Sequence, residues 1–211
     1  MATTLPPGYV FPMTQSPRQD RPPTPIEVME AYTIGELKRI DGPIVLADYD
    51  PSWPGLFDGE AARIRTVLGD RVLTLEHVGS TSVPGLPAKP RIDIVMAVPD
   101  SSDEAAYVPP LEAAGYVLRI REPDWYEHRV FNGPDTDVNL HVFTASCLEI
   151  HRMIAFRDWL RTHDDDRRHY EQAKRELAAR RWAYVQHYAD AKTAVVEEIM
   201  ARAQAGRAAG G

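Results

Sequence analysis

Apolar residues recur at helical spacing from residue 53 to about 69, where Leu56, Phe57, Ala61, Ile64 and Leu68 fall on one face and the Gly69-Asp70 pair stops the run. Beyond that point the period shortens to that of strands. Runs at 72–78 and 92–98 are followed by further strand-like stretches at 116–120, 128–131 and 137–143. Glu122-Pro123-Asp124 and Asn132-Gly133-Pro134 separate the last three, and the second separator is a hairpin signal. A helix is expected over 103–114, beginning after Pro109-Pro110 or irregular, because a proline in a helix interior removes a hydrogen bond. From Glu149 onward the pattern is helical, over about 149–162, 164–180 and 184–204. Upstream, Thr24-Pro25-Ile26-Glu27 predicts a helix start, with Thr as the cap and Pro at the first helical position, running to about Tyr32. Residues 44–47 read as a short strand, and Asp50-Pro51-Ser52-Trp53-Pro54 as the turn that caps the next helix. Strands first and helices last, with helices also between strands, predict an α/β (α+β) domain: a mixed sheet covered by a C-terminal helical bundle.

Composition limits the partners. A chain of 211 residues fits one domain with appendages. Seven prolines between residues 1 and 25 predict a disordered arm, the domain then spans 26–204, and the Ala/Gly-rich 205–211 reads as a flexible tail. A net charge of −7 argues against duplex nucleic acid, which needs a basic face, and leaves a small-molecule substrate as the natural partner. The single cysteine, Cys147, cannot form an internal disulfide and suits the cytoplasm. No apolar run reaches the length of a membrane span, and the N-terminus lacks a signal-peptide pattern. Nothing in the sequence specifies an oligomeric state.

The segment 76–95 carries the densest chemistry. A strand-like run breaks at Gly79-Ser80-Thr81-Ser82, and the next run opens on a lone carboxylate, Asp93. Small residues at a strand end let backbone N–H groups and hydroxyls approach an anion, and an Asp beginning the next strand can hold a hard cation beside it. Phosphate plus a metal ion is the natural inference. Glu76 and His77 point to opposite sides of their strand, so only one of them faces the turn's site directly. Lys89 and Arg91 flank Pro90 and read either as solvated charges or as anion ligands. Arg129, on a strand after His128, can present a guanidinium fork to phosphate or carboxylate. His141 sits in the apolar Leu140-His141-Val142-Phe143. Arg157 lies on a predicted helix, and Tyr170 and Lys174, four residues apart, share a helical face that is either a salt-bridged surface or a pocket wall.

Gly79-Ser80 followed by Asp93 resembles the Gly-Ser…Asp-x-Asp signature of the nucleotidyltransferase superfamily. The fuller wording is similar to its GrpB-like branch: His77-Val78-Gly79-Ser80-Thr81-Ser82-Val83-Pro84-Gly85-Leu86, Ala88-Lys89-Pro90, Ile92-Asp93-Ile94, Tyr49-Asp50-Pro51-Ser52-Trp53-Pro54, Leu140-His141-Val142, Phe156-Arg157-Asp158-Trp159-Leu160, Tyr170 and Lys174. The resemblance covers about residues 44–200. It implies a nucleotidyltransferase-like fold, ATP or another nucleotide as ligand, and Asp93 as metal ligand and catalytic residue. His141, Glu76 and His77 are then candidate acids or bases. Gly79, Ser80, Thr81, Ser82, Lys89, Arg129, Arg157, Tyr170 and Lys174 are candidate phosphate or substrate ligands. The chain departs from the superfamily at Val95, which stands where the second carboxylate is expected, and the third position falls among Asn139 and His141 with no Asp. One carboxylate predicts at most one weakly held Mg²⁺. Three readings follow: transfer of a nucleotidyl (AMP) group, metal-independent acid/base chemistry on a metabolite in the same pocket, or a non-catalytic accessory domain such as those fused to dephospho-CoA kinase.

Overall fold

The computed structural model describes residues 23–209. A five-stranded mixed sheet forms its centre: β1 (Thr74–Val78), β2 (Ile92–Val98), β3 (Val117–Glu122), β4 (His128–Asn132) and β5 (Val138–Thr144), in spatial order β1-β2-β5-β4-β3. β1 is antiparallel to β2, β2 is parallel to β5, and β5, β4 and β3 form an antiparallel meander. The helices are α1 (Ile26–Tyr32), α2 (Trp53–Leu68), α3 (Val108–Ala113), α4 (Leu148–Thr162), α5 (Asp164–Ala178), α6 (Val185–Ala191) and α7 (Thr193–Ala209). None among the described residues is long and apolar enough to cross a membrane.

Strand alternation sorts the side chains into two layers. On one face Leu75, Ile92, Ile94, Met96, Leu140 and Val142 pack with Ile64 and Leu68 of α2 and Leu111 of α3 in the main core. On the other, Val78, Val95, Ala97 and Phe143 meet Cys147, Ile150 and Met153 at the start of α4. Burial on both faces explains why β2 reads as an unbroken apolar run. This second layer is incomplete. Beyond Val95 and Phe143 the same face carries Asp93, Asn139 and His141, and there α4 gives way to a cleft. A further cluster of Val83, Leu86, Leu160, Tyr170, Val195 and Ile199 ties the loop after β1 to α4, α5 and α7, so the cleft has a rigid helical wall.

Several expected elements differ. Residues 44–47 make no regular strand but a single bridge, Ala47 to Ala88, because the segment crosses the end of α5, where the Ile44 N–H donates to Ala178 O. The 103–114 stretch is a 3₁₀ turn (Glu104–Ala106) followed by α3, which begins before the prolines and holds both in its first turn, where a missing N–H costs nothing. The helix expected over 184–204 breaks at Lys192 into α6 and α7, and α7 runs to Ala209 through the Ala/Gly-rich stretch that composition assigned to a tail. Thr24 makes no side-chain cap; its N–H donates to Asp190 on α6, holding the residues just before α1 at the cleft. The proline-rich arm assigned to residues 1–25 lies, apart from its last three residues, outside the described residues.

Candidate active site

The site begins with a backbone only glycine accepts. Gly79, directly after β1, has φ +70° and ψ −173°, a region closed to other residues. A Cβ there would also stand 2.9 Å from Asp93 Cβ and 3.0 Å from its Cγ, so the absent side chain is what lets the Asp93 carboxylate lie against the turn. The turn itself is a single 3₁₀ coil, Ser80–Ser82. Ser82 Oγ donates to Gly79 O at 2.6 Å and closes it. Thr81 Oγ1 donates to Arg91 O at 3.0 Å and stands 3.0 Å from His77 Nε2.

Asp93 opens β2 and faces a cleft of about 690 Å³ between the sheet, α1, α5, α6 and the Lys192 break. Asn139 Nδ2 donates to Asp93 Oδ1 at 3.0 Å, and His141 Nε2 stands 3.9 Å from the same oxygen. Burial would raise the Asp93 pKa, but the facing His141 imidazole, the Asn139 amide and Lys89 hold it below the ordinary carboxylate range. Three ammonium groups converge on this end. Lys89 comes from the loop before β2, Lys174 from α5 and Lys192 from the α6–α7 break. Burial, with repulsion from Lys192, lowers Lys89 to about 8 and Lys174 to about 7. Lys192 is also lowered by burial, with Asp93 pulling the other way. The side chains are held in place: Lys174 Nζ donates to Pro87 O and lies 5.1 Å from the Tyr170 ring centre, and Lys192 Nζ lies 4.8 Å from that of Tyr188. Crowded, desolvated cations with one carboxylate among them are stabilised by any anion that enters. The rest of the lining mixes Met29, Tyr32, Leu37, Ile120, Trp125 and Tyr184 with Glu122 and Asp190, whose charges add to burial in raising the Tyr32 phenol.

Of the residues expected from sequence, Gly79, Ser80, Thr81, Lys89, Asp93, His141 and Lys174 line this cleft together. Tyr170 stands behind it, hydrogen-bonded to Ser80, its phenol pushed up to about 12 by burial. The other five do not line it. His77 faces the main core, stacked on Phe57 at 5.1 Å, and burial lowers it to about 4, so it is a neutral support for Thr81 rather than an acid or base in the cleft. Ser82 is spent on closing the turn, and its carbonyl accepts two bonds from Arg161. Glu76 is engaged by Arg157 at 2.7 Å, and the same Arg157 Nη1 donates to His77 O at 2.9 Å; the pair fastens α4 to β1. Arg129 lies on the other sheet face because β4 alternates, and its guanidinium is held by Glu104 at 2.6 Å and Glu127 at 3.0 Å. Arg121 and Arg129 together hold Glu104 down at about 2.

The expected metal site meets the same accounting. Val95 is fully buried among apolar neighbours, Asn139 donates to Asp93, and among the described residues no three His, Cys, Asp or Glu side chains are grouped to hold an ion. Asp93 alone is one monodentate ligand, so this donor set does not fit the two-metal clamp of a nucleotidyltransferase. Sequence reasoning missed Lys192 and Tyr188, which only the helix break brings in, and gave no role to Glu122, His128 and Glu149, all in the cleft wall.

The chain is similar to known proteins. A family model described as GrpB protein matches residues 43–202. The chain belongs to the GrpB family. It is 62% identical to the UPF0157 protein BH1888 of Halalkalibacterium halodurans over 85% of this chain and 92% of that one, and 42% identical to the UPF0157 protein SCO7215 of Streptomyces coelicolor over 92% and 100%. The crystal structure of the conserved protein GrpB from Enterococcus faecalis superposes with a TM-score of 0.66 at 28% identity, covering 77% of this chain and 98% of that one. The GrpB match starts at residue 43, so α1 and the segment after it, which supply part of the cleft wall, precede the matched region.

Proposed function

We propose that this GrpB-family chain is a small-molecule enzyme that binds a phosphate-bearing ligand, ATP or another nucleotide, and transfers its nucleotidyl group to an acceptor hydroxyl, amine or phosphate. The carrying observation is the convergence of the Gly79-Ser80-Thr81 turn and three lysines on a single Asp93–His141 pair. The turn and Lys89, Lys174 and Lys192 supply donors and positive charge to the phosphates, and Tyr32, Trp125 and Tyr184 in the lining offer aromatic rings to a base. In the transfer, the acceptor oxygen bonds to the α-phosphorus, the bond from that phosphorus to the bridging oxygen of pyrophosphate breaks, and the acceptor proton moves to His141 Nε2, where Asp93 stabilises the cation formed. The lysine ammonium groups offset the charge developing on the leaving pyrophosphate. A resident Mg²⁺ is not part of this reading, since Asp93 alone does not hold one; an ion carried in by the nucleotide's own phosphates would find that one oxygen.

Burial of Val95 among apolar side chains favours a second reading. Here the pocket binds a phosphorylated metabolite and His141 acts as acid or base without nucleotidyl transfer. One experiment separates them: thermal unfolding with ATP, ADP, AMP or inorganic phosphate, each with Mg²⁺ and with EDTA. A ligand at 100 times its Kd stabilises the fold by about 2.7 kcal/mol. ATP stabilisation that survives EDTA and falls in Lys89→Met, with radiolabel from the α-phosphorus of ATP appearing on an acceptor, supports the first reading. Stabilisation by phosphate compounds without label transfer supports the second, and no stabilisation by any of them sinks both.

A further inference from the structure

Four side chains on one face of the sheet stand in a row across four strands: Asp93 on β2, His141 on β5, His128 on β4 and Glu122 on β3. The registers Val130 to His141 and Glu122 to His128 bring them onto the same face. Glu122 Oε2 is 2.7 Å from His128 Nδ1, His128 Nε2 is 3.0 Å from His141 Nδ1, and His141 Nε2 is 3.9 Å from Asp93 Oδ1. The rings are stacked 8° from parallel, and His128 is clamped between Phe143 and the edge of Trp125, with centroids 4.5 and 5.0 Å away.

Proton counting fixes the state of this row. A bond between two imidazoles holds one proton, and two neutral imidazoles carry two protons for the three gaps in the row. The first two gaps are at hydrogen-bond distance and the third is too long for a hydrogen bond. With Glu122 ionised and both imidazoles neutral, both protons sit on Nδ1, that of His128 donating to Glu122 and that of His141 donating to His128. In that state His141 Nε2 carries its lone pair on the Asp93 side; once protonated it presents an N–H there, the form in which it lowers the Asp93 carboxyl.

We propose that Glu122, His128 and His141 form a proton relay along the cleft wall, from the Asp93 end to the edge strand β3, with His141 as the base and His128 and Glu122 as positioning residues. The role of His141 as base rests on the function proposed above; the relay itself does not. When His141 Nε2 gains a proton, its Nδ1 proton passes to His128 Nε2, and the His128 Nδ1 proton passes to Glu122 Oε2. Both imidazoles end neutral with the proton on Nε2, Glu122 ends as the acid, and the His141 Nε2–H now faces Asp93. The reverse shift returns the proton to the cleft. Other charges face the pair: Arg129 is next to His128, and Glu149 of α4 faces His141 while paired with Arg152 at 2.9 Å. The Glu122 end is a partly exposed carboxylate, and the Asp93 end opens into the cleft, so the row has two accessible termini and a buried middle.

The test is long-range ¹H–¹⁵N NMR of the full chain labelled at histidine nitrogen, which reads tautomer and titration without any ligand. Wild type is expected to show the Nδ1–H tautomer at both His128 and His141. His128→Phe keeps the stacked ring but removes the acceptor, so His141 should shift to the Nε2–H tautomer common in free imidazoles. Glu122→Gln removes the carboxylate that accepts from His128 Nδ1, and the ¹⁵N signals of His128 and His141 should both move. Nε2–H at His141 in wild type would overturn the relay by itself, even if neither variant folds. So would a His141 signal unmoved by both folded variants. Failure of nucleotide stabilisation with these tautomers present would remove the proposed function and leave the relay standing.

Discussion

Gly79→Ala tests the geometry on which the site depends. The φ of +70° with ψ of −173° costs any other residue about 1–3 kcal/mol. The new Cβ would also meet the Asp93 side chain, at 2.9 Å from its Cβ. Asp93 must then move, and its 3.0 Å bond from Asn139 weakens, a charge-assisted bond worth about 1.5–3 kcal/mol. The combined loss is about 2.5–6 kcal/mol, which at about 2–4 °C per kcal/mol for a domain of this size lowers Tm by about 5–24 °C. Gly59→Ala is the control. Gly59 sits exposed inside α2, and a Cβ added there would meet no atom within 4 Å, so alanine should add about 0.5–1 kcal/mol through helix propensity. Urea unfolding followed by circular dichroism measures both. A Gly79→Ala midpoint within about 1 kcal/mol of wild type would mean the turn does not hold Asp93 as described.

Three other outcomes follow. His77 and His128 are both lowered to about 4 by burial, so each is neutral when folded; their contribution is complete above the unfolded value of about 6.5 and is lost as pH falls through about 4. Urea midpoints should drop between pH 6.5 and 4, and His77→Gln should flatten that slope; an unchanged slope counts against a neutral buried His77. Arg157→Gln should cost about 1–3 kcal/mol, because Glu76 and the His77 carbonyl lose a shared donor, while leaving nucleotide binding intact in the folded fraction. A selective loss of binding there would return Arg157 to the site. Lys89 at about 8 and Lys174 at about 7 should both be charged once phosphate is bound. Binding of ATP should therefore take up about one proton at pH 8 and almost none at pH 6, read by calorimetry in buffers of different ionisation enthalpy; equal uptake at both would refute it.

The fold was largely legible because its elements are set by local periodicity. β2 is apolar on both faces and bounded by clear breakers, and its observed span of Ile92–Val98 coincides with the expected one. The misreadings share a cause, in that local pattern does not record what a segment crosses. Residues 44–47 have the composition of a strand, but the partner they meet is the end of α5. The break at Lys192 has no proline or glycine to announce it; both helices meet α5, and the turn lets α7 pack against α4 as well.

The site was legible where one loop encodes it and not where several strands must be aligned. Gly79, Ser80, Thr81, Lys89 and Asp93 lie within fifteen residues of each other, and the turn brings them together without long-range help. On residue type alone Arg129 outranks His128 as an anion ligand, yet the hairpin signal at Asn132-Gly133-Pro134 already contains the means to reject it. Once β4 and β5 pair through a short connection, Val130 stands opposite His141, and the residues of β4 that share its face are His128 and Asn132. The alternation that buries Arg129 against Glu104 is the same alternation that sets His128 beside His141. The strand that loses an expected phosphate ligand thus supplies the centre of the histidine row, and a register slip of one residue would exchange the two.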